Sequence, residues 1–575
     1  MGLFKKKAVN DIPDNVEDVL KKFDRESNVR IWTGKPKAAV GLFMAAFSAF
    51  CIWVTLYATF AEEIRLTSFV ALIIVMGYLT YPVKKGQQKE NYMPWYDWVI
   101  MALGAGAFLY YTFNATDIIM LASKITTFHV ILGIIGVLAL AELCRRCVGL
   151  PILIVAGLFV AYALFIGLTN PDFMKRISSL IYTLFYTKQG ILGTPISVCS
   201  KYIVVFIIFG AFLERTGISA FFIDLANCAA GKYAGGPAKV AVLSSALCGM
   251  VSGSSVGNTV TTGSITIPMM KESGYKSEFS GAVEAAASTG GQIMPPIMGA
   301  AAFLMIDYLG VPYSYILVRA ILPALLYFAG IFIMVHMEAK KLGLQGIPKE
   351  LLPKFGKMIS KIFLLIPLIV LVVLASSNYT SIQFAASIAI VLAIVVSMFN
   401  KGNRITPRGM LDALEAGARS TISVAVACGL AGIVAGVTTA TGLANILITA
   451  VVTAANGQLL IALFLTMICC IILGMGLPTT ATYCIMAATC APMLEQMGVD
   501  RFAAHMFVFY FGIVADITPP VALAAYAGSA IAKSEPMKTA FTASKLAIGA
   551  FVVPFVFCMA PELLFIGDNV TLMGS

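Results

Sequence analysis

Two short stretches rich in glycine and hydroxyl residues interrupt otherwise apolar parts of this 575-residue chain. They read Ser252-Gly253-Ser254-Ser255-Val256-Gly257-Asn258-Thr259 and Gly476-Leu477-Pro478-Thr479-Thr480-Ala481-Thr482. Such residues are unsuited to a continuous lipid-facing helix. They suit a turn at mid-depth in a membrane, where main-chain groups and hydroxyls can hold an ion or a carboxylate. The alternative is that small residues here only allow helices to pack closely.

Two proline pairs interrupt two further apolar segments, residues 278–309 and 502–532. The first pair, Pro295-Pro296, follows Gly291-Gln292, and the second, Pro519-Pro520, follows Thr518. Because proline removes the main-chain N–H and blocks a helix hydrogen bond, each segment is predicted to be two half-helices. Half-helix carbonyl ends can coordinate a cation, and their N-termini can face an anion.

Two acidic residues lie in these same segments, and a carboxylate at membrane depth is costly enough to suggest a function. Glu284 lies about two turns before Gly290-Gly291, and Asp516 lies just before the second proline element. Both are candidates for proton carriers or ion ligands. For Glu284 the alternative is a position near the cytoplasmic end of its helix, paired with a lysine.

The composition indicates that these segments belong to a multi-pass membrane protein. The chain is 59% hydrophobic and 12% charged, whereas soluble domains carry about 25% charged residues. The net charge of +11 does not indicate nucleic-acid binding, because the basic residues lie in short loops between apolar runs, as the positive-inside rule expects. We find no P-loop and no H-E-x-x-H motif. Cys144 and Cys147, placed in a short loop, lack a second ligand pair for zinc. We therefore predict neither an enzyme nor an organic cofactor.

The apolar runs and loop charges predict the domain organisation. Residues 1–36 form a cytoplasmic N-terminal segment, in which Asp14 to Arg25 could make an amphipathic surface helix. Residues 37–147 form a four-helix unit, and residues 148–575 form a larger unit. Basic loops at Arg145-Arg146 and 340–361 are placed in the cytoplasm, and the C-terminal tail is placed outside.

The larger unit contains an internal repeat with a period near 225 residues, covering about 200–338 and 419–563. The matches are Thr216-Gly217 with Thr441-Gly442, Gly249-Met250 with Gly474-Met475, Pro268 with Pro492, Gly274 with Gly498, and Ile293 to Pro296 with Ile517 to Pro520. Loop charges predict that the first copy forms a hairpin entering from inside and the second a hairpin entering from outside. Inverted repeats with discontinuous helices are typical of secondary transporters.

At these motifs the sequence resembles the membrane component of tripartite ATP-independent periplasmic (TRAP) transporters. The similar stretches are 249–304 and 474–530. The likeness is greatest to the fused form, in which small and large membrane subunits share one chain. The first four helices match the small subunit only in number. The Gly290-Gly291-Gln292 pattern with Glu284 is similar to the branch that uses TAXI-type binding proteins.

The resemblance implies an all-α inverted-repeat transporter with an elevator mechanism, two re-entrant hairpins, two broken helices and a four-helix small-subunit-like unit. It implies import of organic acids across the bacterial inner membrane. A separate periplasmic binding protein would deliver the substrate, and Na⁺ or H⁺ would drive its import. It also implies the binding residues: Ser252, Ser254, Ser255, Asn258, Thr259, Gly291, Gln292, Pro295 and Pro296 in the first copy, and Thr479, Thr480, Thr482, Asp516, Thr518, Pro519 and Pro520 in the second.

Two other functions remain open at this stage. One is an ion-coupled carboxylate symporter that needs no binding protein. The other is a membrane-embedded enzyme or a channel, which would require a clustered catalytic set or a continuous polar pore, and neither is visible in the sequence.

Overall fold

The computed structural model describes residues 28–84, 89–348, 350, 352–377, 379–400 and 402–567. Within these residues the regular structure is helical, with no β-strand. Nine of the described helices are long and apolar enough to cross a membrane, or up to ten if one bent pair counts as a single span. They are Gly34–Tyr57, Glu62–Thr80, Thr127–Cys147, Leu150–Gly167, Thr194–Arg215, Tyr313–Leu342, Ile382–Phe399, Pro407–Thr441 and Pro536–Met559. The chain is therefore the all-α multi-pass membrane protein that its composition predicts.

The first four long helices are Gly34–Tyr57, Glu62–Thr80, Trp95–Phe113 and Thr127–Cys147, and the short helix Ala115–Leu121 is bent by 81° from the third. The first begins at Gly34, inside the predicted N-terminal segment 1–36, because a helix continues through its main-chain hydrogen bonds while Lys35 and Lys37 stay exposed. The predicted surface helix Asp14 to Arg25 lies outside the described residues. Cys144 and Cys147 lie in the last turn of a helix, not in a loop.

A buried ion network fixes one end of these helices. The Asp97 carboxylate is wholly buried and accepts from the guanidinium groups of Arg30 and Arg146, the latter at 2.7 Å. Arg146 also donates to Glu142 at 2.8 Å and lies 4.6 Å from the centre of the Tyr78 ring. Arg30 precedes the first helix, so this network ties the described start of the chain to the third and fourth long helices.

The middle of the chain supplies long helices that surround the repeat. The remaining bounds in this region are Leu150–Tyr162 with a π-helical turn to Gly167, Phe173–Ile181, Thr194–Arg215 with a π-helical turn inside it, Tyr313–Leu342, Phe355–Ile359, Ile366–Ser376, Ile382–Phe399 and Pro407–Thr441. The helix Thr194–Arg215 begins six residues before the predicted start of the first repeat copy at about 200. Pro407–Thr441 packs against three of the first four long helices, and Ser48 donates to the main-chain oxygen of Leu414 at 2.7 Å.

The repeat consists of a hairpin followed by a broken helix in each copy. Hairpin 1 is Gly236–Ser252 and Ser255–Glu272, and broken helix 1 is Ser277–Gly291 and Ala301–Leu309. Hairpin 2 is Leu459–Gly474 and Thr479–Thr489, continued by Ala491–Gln496. Broken helix 2 is Arg501–Val514, extended to Ile517, and Leu523–Ala532. A short helix precedes each hairpin (Ile218–Ala230 and Leu443–Ala454), and a long helix follows each broken helix (Tyr313–Leu342 and Pro536–Met559, with a bend near Ala547).

The turns also repeat, which shows that the sequence matches reflect one structural unit used twice. Positive φ angles occur at Gly217 and Gly442, at Gly253 and Gly476, and at Gly274 and Gly498. Glycine adopts this conformation without a Cβ clash. Both proline pairs have a cis peptide bond between the two prolines. The predicted hairpins and half-helices are therefore present in both copies.

Asp97→Ala should lower the free energy of unfolding by about 3–5 kcal/mol, because it leaves two buried guanidinium groups without their shared partner. Urea unfolding in detergent, followed by circular dichroism, measures this. Glu338→Gln is the matched control, since Glu338 pairs with Lys341 at 3.5 Å and that lysine is 74% exposed. The control should change stability by less than about 1 kcal/mol. Equal effects of the two substitutions would contradict a structural role for the network.

Candidate functional site

The second half of each broken helix packs against the hairpin of the other copy of the repeat. Hairpin 1 packs against the first half of broken helix 1, and its second limb also packs against Leu523–Ala532, the second half of broken helix 2. In the same way Ala301–Leu309, the second half of broken helix 1, packs against hairpin 2. The tips and the breaks therefore belong to one continuous body with contributions from both copies.

The tip of hairpin 1 separates its predicted binding residues into exposed and buried groups. Ser252 and Ser254 are exposed, and the Ser254 hydroxyl caps the second limb by accepting from the Gly257 N–H at 3.1 Å. Asn258 is buried and donates to Ser288 Oγ and to the main-chain oxygen of Ser245, both at 3.0 Å. The hydroxyl of buried Thr259 donates to the Ser255 main-chain oxygen at 2.8 Å. Exposed hydroxyls at the tip are available to a ligand, whereas Asn258 positions the helices behind them.

The tip of hairpin 2 places its three predicted threonines at increasing depth. Thr479 is half-buried at the start of the second limb, Thr480 is buried, and Thr482 is wholly buried. The Thr482 methyl group lies between Gly474 on the first limb and Gly512 on broken helix 2, where an added Cβ would meet it at 3.2 and 3.1 Å. Thr482 therefore occupies the position in copy two that Asn258 occupies in copy one.

Hydroxyl groups satisfy main-chain oxygens at both breaks. In break 1, Pro295 and Pro296 are half-buried, and Tyr313 Oη lies 2.6 Å from the Pro296 oxygen and 2.7 Å from the Ile297 oxygen. In break 2, Pro519 is half-buried and Pro520 is exposed. Tyr526 donates to the Pro520 oxygen, Ser544 to the Ile517 oxygen at 3.0 Å, and Thr518 to the Val514 oxygen at 2.8 Å. These donors satisfy carbonyl oxygens at the breaks, where the regular helix hydrogen-bond pattern is interrupted.

A direct hydrogen bond joins the two copies at the centre of this body. The buried hydroxyl of Ser255, at the first position of the second limb of hairpin 1, donates to the buried carboxyl of Asp516 in broken helix 2. These two residues lie 261 positions apart in the chain. The bond brings a predicted residue of the first copy to a predicted residue of the second, so tip 1 and break 2 share one site.

Close packing of glycines holds each hairpin against its own broken helix. A Cβ on Gly291 would lie 2.5 Å from the Cα of Gly249, so hairpin 1 and broken helix 1 touch through their main chains. In copy two a Cβ on Gly474 would lie 2.8 Å from the Ala515 Cβ. Small residues at these positions therefore do allow close helix packing, which the sequence analysis gave as the alternative to ligand binding. The exposed hydroxyls at tip 1 are present as well.

Three buried polar atoms beside the breaks have no hydrogen-bond partner among the residues that the structure describes. They are Gln292 Oε1 and Thr289 Oγ1 in broken helix 1 and Thr482 Oγ1 in hairpin 2. Buried polar groups are normally satisfied, so such atoms mark positions where an ion, a water or a substrate group can bind. Gln292 and Thr482 are among the predicted residues, and Thr289 is not.

Glu284 lies in a ring of hydroxyl groups that the sequence analysis did not identify. Its carboxyl is wholly buried, and the surrounding hydroxyls come from Ser245, Thr262, Thr266 and Ser288. No lysine in the described part of the chain forms a salt bridge with it, so the alternative of a paired surface carboxylate does not hold. The spacing of Thr259, Thr262 and Thr266 on one helical face was the available signal.

Comparison with known proteins identifies the family of this site. Residues 135–572, about three quarters of the chain, match the family described as the tripartite ATP-independent periplasmic transporter, DctM component. The chain belongs to this family. It is therefore a transporter component and not an enzyme, and it carries 134 residues before the matched region.

Several relatives have named substrates, including the following three. The C4-dicarboxylate TRAP transporter large permease protein DctM of Pseudomonas aeruginosa is 26% identical over 64% of this chain and 83% of its own length. The sialic acid TRAP transporter large permease protein SiaM of Vibrio cholerae is 22% identical over 57% of this chain and 76% of its own length. The isethionate TRAP transporter permease protein DctMQ of Oleidesulfovibrio alaskensis is 24% identical over 57% of this chain and 52% of its own length.

Ser255→Ala should lower the free energy of unfolding by about 1–3 kcal/mol, because it removes the hydrogen-bond donor of the buried Asp516 carboxyl. It should also abolish most substrate uptake, and so should Asp516→Ala. The double variant Ser255→Ala with Asp516→Asn measures the shared interaction, and we expect an interaction energy of about 0.5–3 kcal/mol.

Ser244→Ala is the control for this experiment, because Ser244 is equally buried and donates only within its own helix, to Val240 at 2.8 Å and Ala241 at 3.3 Å. It should leave uptake near the unmodified level. Additive effects of the Ser255 and Asp516 substitutions would show that the two residues act independently.

Proposed function

We propose that this chain is the membrane component of a secondary active importer of organic acids, coupled to a cation and supplied by a separate periplasmic binding protein. The observation that carries the proposal is the shared site at Ser255 and Asp516, where a hairpin tip of one copy meets the helix break of the other in a DctM family member. The substrates named for the three relatives are all organic anions. A half-helix N-terminus and exposed hydroxyls suit such a substrate.

The cation sites we propose are the two tips with their neighbouring breaks. Ser252, Ser254, Ser255, Asn258 and Thr259 with the main chain at Gly291 and Gln292 would serve one site. Thr479, Thr480, Thr482 and Thr518 with the main chain at Asp516 would serve the other, and the proline pairs would hold both breaks open. The unpartnered oxygens of Gln292 and Thr482 support this assignment. Hydroxyl and carbonyl oxygens suit Na⁺, and the acidic residues suit H⁺.

We propose an elevator movement of the repeat body against the surrounding helices. Helix Leu150–Gly167 is 18 residues long, about 27 Å. The tip of hairpin 2 contacts its first turn, since a Cβ on Gly476 would lie 3.3 Å from Pro151. The tip of hairpin 1 lies beside Gly210, five residues before the end of Thr194–Arg215.

Both contacts lie toward the same end of the surrounding helices, because Leu150–Gly167 and Thr194–Arg215 are antiparallel. Gly167 lies beside Thr441 and Arg215 pairs with Asp412, at opposite ends of Pro407–Thr441. Two hairpins that enter the membrane from opposite sides would have their tips at mid-depth if the repeat body were centred in the membrane. Because both tips lie toward one end of the surrounding helices, we interpret this structure as the repeat body at one limit of its movement. With the basic residues Arg145 and Arg146 beside Leu150, that end is the cytoplasmic one, the N-terminus is cytoplasmic and the C-terminus is periplasmic.

The first 134 residues lie before the family match, and we propose that they act as the small membrane subunit fused to the large one. Their helices pack against the long helix Pro407–Thr441, which supports a role in widening the stationary part. The binding protein we propose is of the TAXI type, from the resemblance at Gly290 to Gln292 and from Glu284. An ion-coupled symporter that needs no binding protein is the competing function.

Uptake by proteoliposomes separates these two functions. The full chain should take up a labelled C4-dicarboxylate, or another organic acid from a panel, only when the candidate TAXI-type binding protein is present outside and a Na⁺ or H⁺ gradient is imposed. The matched controls are a binding protein with its ligand pocket blocked and liposomes with no gradient. Full uptake without any binding protein would establish the independent symporter instead.

A reversible cross-link tests the elevator movement. In the double variant Gly210→Cys with Val251→Cys, a Cβ at position 210 would lie 3.4 Å from the main-chain oxygen of Val251. A short bis-methanethiosulfonate reagent should abolish uptake, and a reductant should restore it. The experiment is made in a Cys428→Ser background, because Cys428 on Pro407–Thr441 hydrogen-bonds to Cys484 of hairpin 2 and that pair could also be cross-linked. The same background without the two added cysteines is the control, and its pair Cys469 and Cys490, with sulfurs 3.8 Å apart, lies within hairpin 2. Normal uptake by the cross-linked double variant would contradict an elevator.

A further inference from the structure

The Glu284 carboxyl is as fully buried as that of Asp97 but has no basic partner among the described residues, and its surroundings indicate what it binds. It is 0% exposed, in the middle of Ser277–Gly291. One neighbour comes from the first limb of hairpin 1 (Ser245), two come from the second limb (Thr262 and Thr266), and Ser288 lies one turn later on its own helix. Gly263 makes room for the side chain, since a Cβ there would lie 2.9 Å from Glu284 Cγ.

Charge balance requires a bound cation at this carboxyl or a neutral form of it. An ionised carboxylate away from water costs several kcal/mol unless an opposite charge is near. No Lys, Arg or His in the described ranges lies within ion-pair distance of Glu284. Three Glu284 contacts bring a hydroxyl to Oε1 and one brings a hydroxyl to Oε2, so the carboxyl meets donors and no positive charge.

The hydroxyl hydrogens can be arranged to suit either protonation state. When Glu284 is ionised, all four hydroxyls donate to its two oxygens. When Oε2 carries a proton, it donates to Thr266 Oγ1, whose own hydrogen turns to the Thr262 main-chain oxygen at 3.1 Å. The Thr262 hydrogen then turns to the Asn258 main-chain oxygen at 2.7 Å, while Ser245 and Ser288 still donate to Oε1. A hydroxyl is both donor and acceptor, so each state is satisfied without moving an atom heavier than hydrogen.

We propose that Glu284 is a proton-binding site that takes up one proton at Oε2 and releases it once in each transport cycle. This inference rests on the proposed function and names its coupling ion. The hydroxyl oxygens lie within direct hydrogen-bonding distance of the carboxyl oxygens, so the ring has no gap between them for a coordinated metal cation. A proton needs no such gap, and this geometry therefore favours H⁺ over Na⁺.

The second copy of the repeat shows that packing alone does not require the acid. At the offset of the repeat, Glu284 corresponds to Val508. The hydroxyl positions correspond to Cys470, Met486, Cys490 and Gly512. The same fold is therefore built there from apolar and sulfur-containing side chains, and the ring of hydroxyls is specific to copy one.

Other titratable side chains on the helices packed around Glu284 have separate partners or lie apart from the ring. Cys248 on hairpin 1 interacts electrostatically with Glu284 and is the neighbour to be considered in any titration. Groups with partners include Lys239 with His336, Lys271 with the Ala532 oxygen, Tyr327 with the Ala286 oxygen, Asp516 with Ser255, Tyr526 with the Pro520 oxygen, His505 with Glu495, and Lys538 with Glu535. The ring contacts of Glu284 in the described part of the chain involve none of the other titratable side chains on these helices, including Glu272, Glu278, Arg501, Tyr510 and Lys545.

The ring is connected to the tip of hairpin 1 through Asn258. This side chain donates to Ser288 Oγ, which donates to Glu284, and to the main-chain oxygen of Ser245, whose hydroxyl also donates to Glu284. A movement of the tip on substrate binding or release would therefore change the donors around the carboxyl. Such a change in hydrogen bonding would couple occupation of the site at tip 1 to binding or release of the proton at Glu284.

Infrared difference spectroscopy of the purified full chain in lipid, recorded between acidic and alkaline pH, tests the proposal without any substrate. The unmodified protein should show a protonated-carboxyl carbonyl band that disappears as pH rises, and Glu284→Gln should lack it. Ser280→Ala is the matched control and should keep the band, because Ser280 is a buried residue of the same helix whose hydroxyl donates to Lys276 O at 3.0 Å. Cys248→Ser and Asp516→Asn should keep it as well.

Two results would overturn the proposal. One is a titrating band that is identical in Glu284→Gln. The other is a carboxylate stretch that responds to NaCl but not to KCl at fixed pH, and is lost in Glu284→Gln, which would make the ring a sodium site. Because the measurement needs no transported acid, the proposed function can fail in the uptake assay while this band persists.

Discussion

The structure depends on one constraint: main-chain polar groups exposed by a helix break inside a membrane must be satisfied by the protein itself. Four such breaks occur here, at two hairpin tips and two proline pairs. Tyrosine, serine and threonine hydroxyls take up the carbonyl oxygens at the proline pairs, and Ser254 caps the limb after tip 1. Tyr313 and Ser544 lie on the long helix that follows each broken helix, so each copy satisfies its own break, and the bond from Ser255 to Asp516 then joins the two copies at the site.

The two copies share a main-chain plan but differ in chemistry. Asn258 and Ser288 pack against Gly249 in the first copy, where Thr482 and Gly512 pack against Gly474 in the second. The two buried acids are not related by the repeat: Asp516 corresponds to Gln292, and Glu284 corresponds to Val508. The repeat thus provides two similar main-chain frames, while side-chain differences place a ring of hydroxyls around an acid in the first copy and present a carboxyl to tip 1 from the second.

Most of the fold followed from the sequence, because long apolar runs, proline pairs and glycine turns act locally. The two segments predicted to be broken helices, 278–309 and 502–532, are observed over residues 277–309 and 501–532. The first helix began earlier than hydropathy indicated, since exposed lysines can extend a helix without adding apolar residues. The ring around Glu284 and the bond between Ser255 and Asp516 were not predicted as contacts, because they join residues on different helices whose relative rotation the sequence does not specify.

The central claim is that both tips and both breaks move as one body relative to the surrounding helices. Double electron–electron resonance, which measures the distance between two spin labels, tests it most directly on labelled protein in lipid nanodiscs. One label pair joins position 256 beside tip 1 to position 154 on Leu150–Gly167, and a second joins position 256 to position 472 beside tip 2. The account predicts that the first distance has two populations whose ratio shifts with binding protein and cation gradient, while the second keeps one. A tip-to-tip distance that changes while the tip-to-helix distance stays fixed would contradict it.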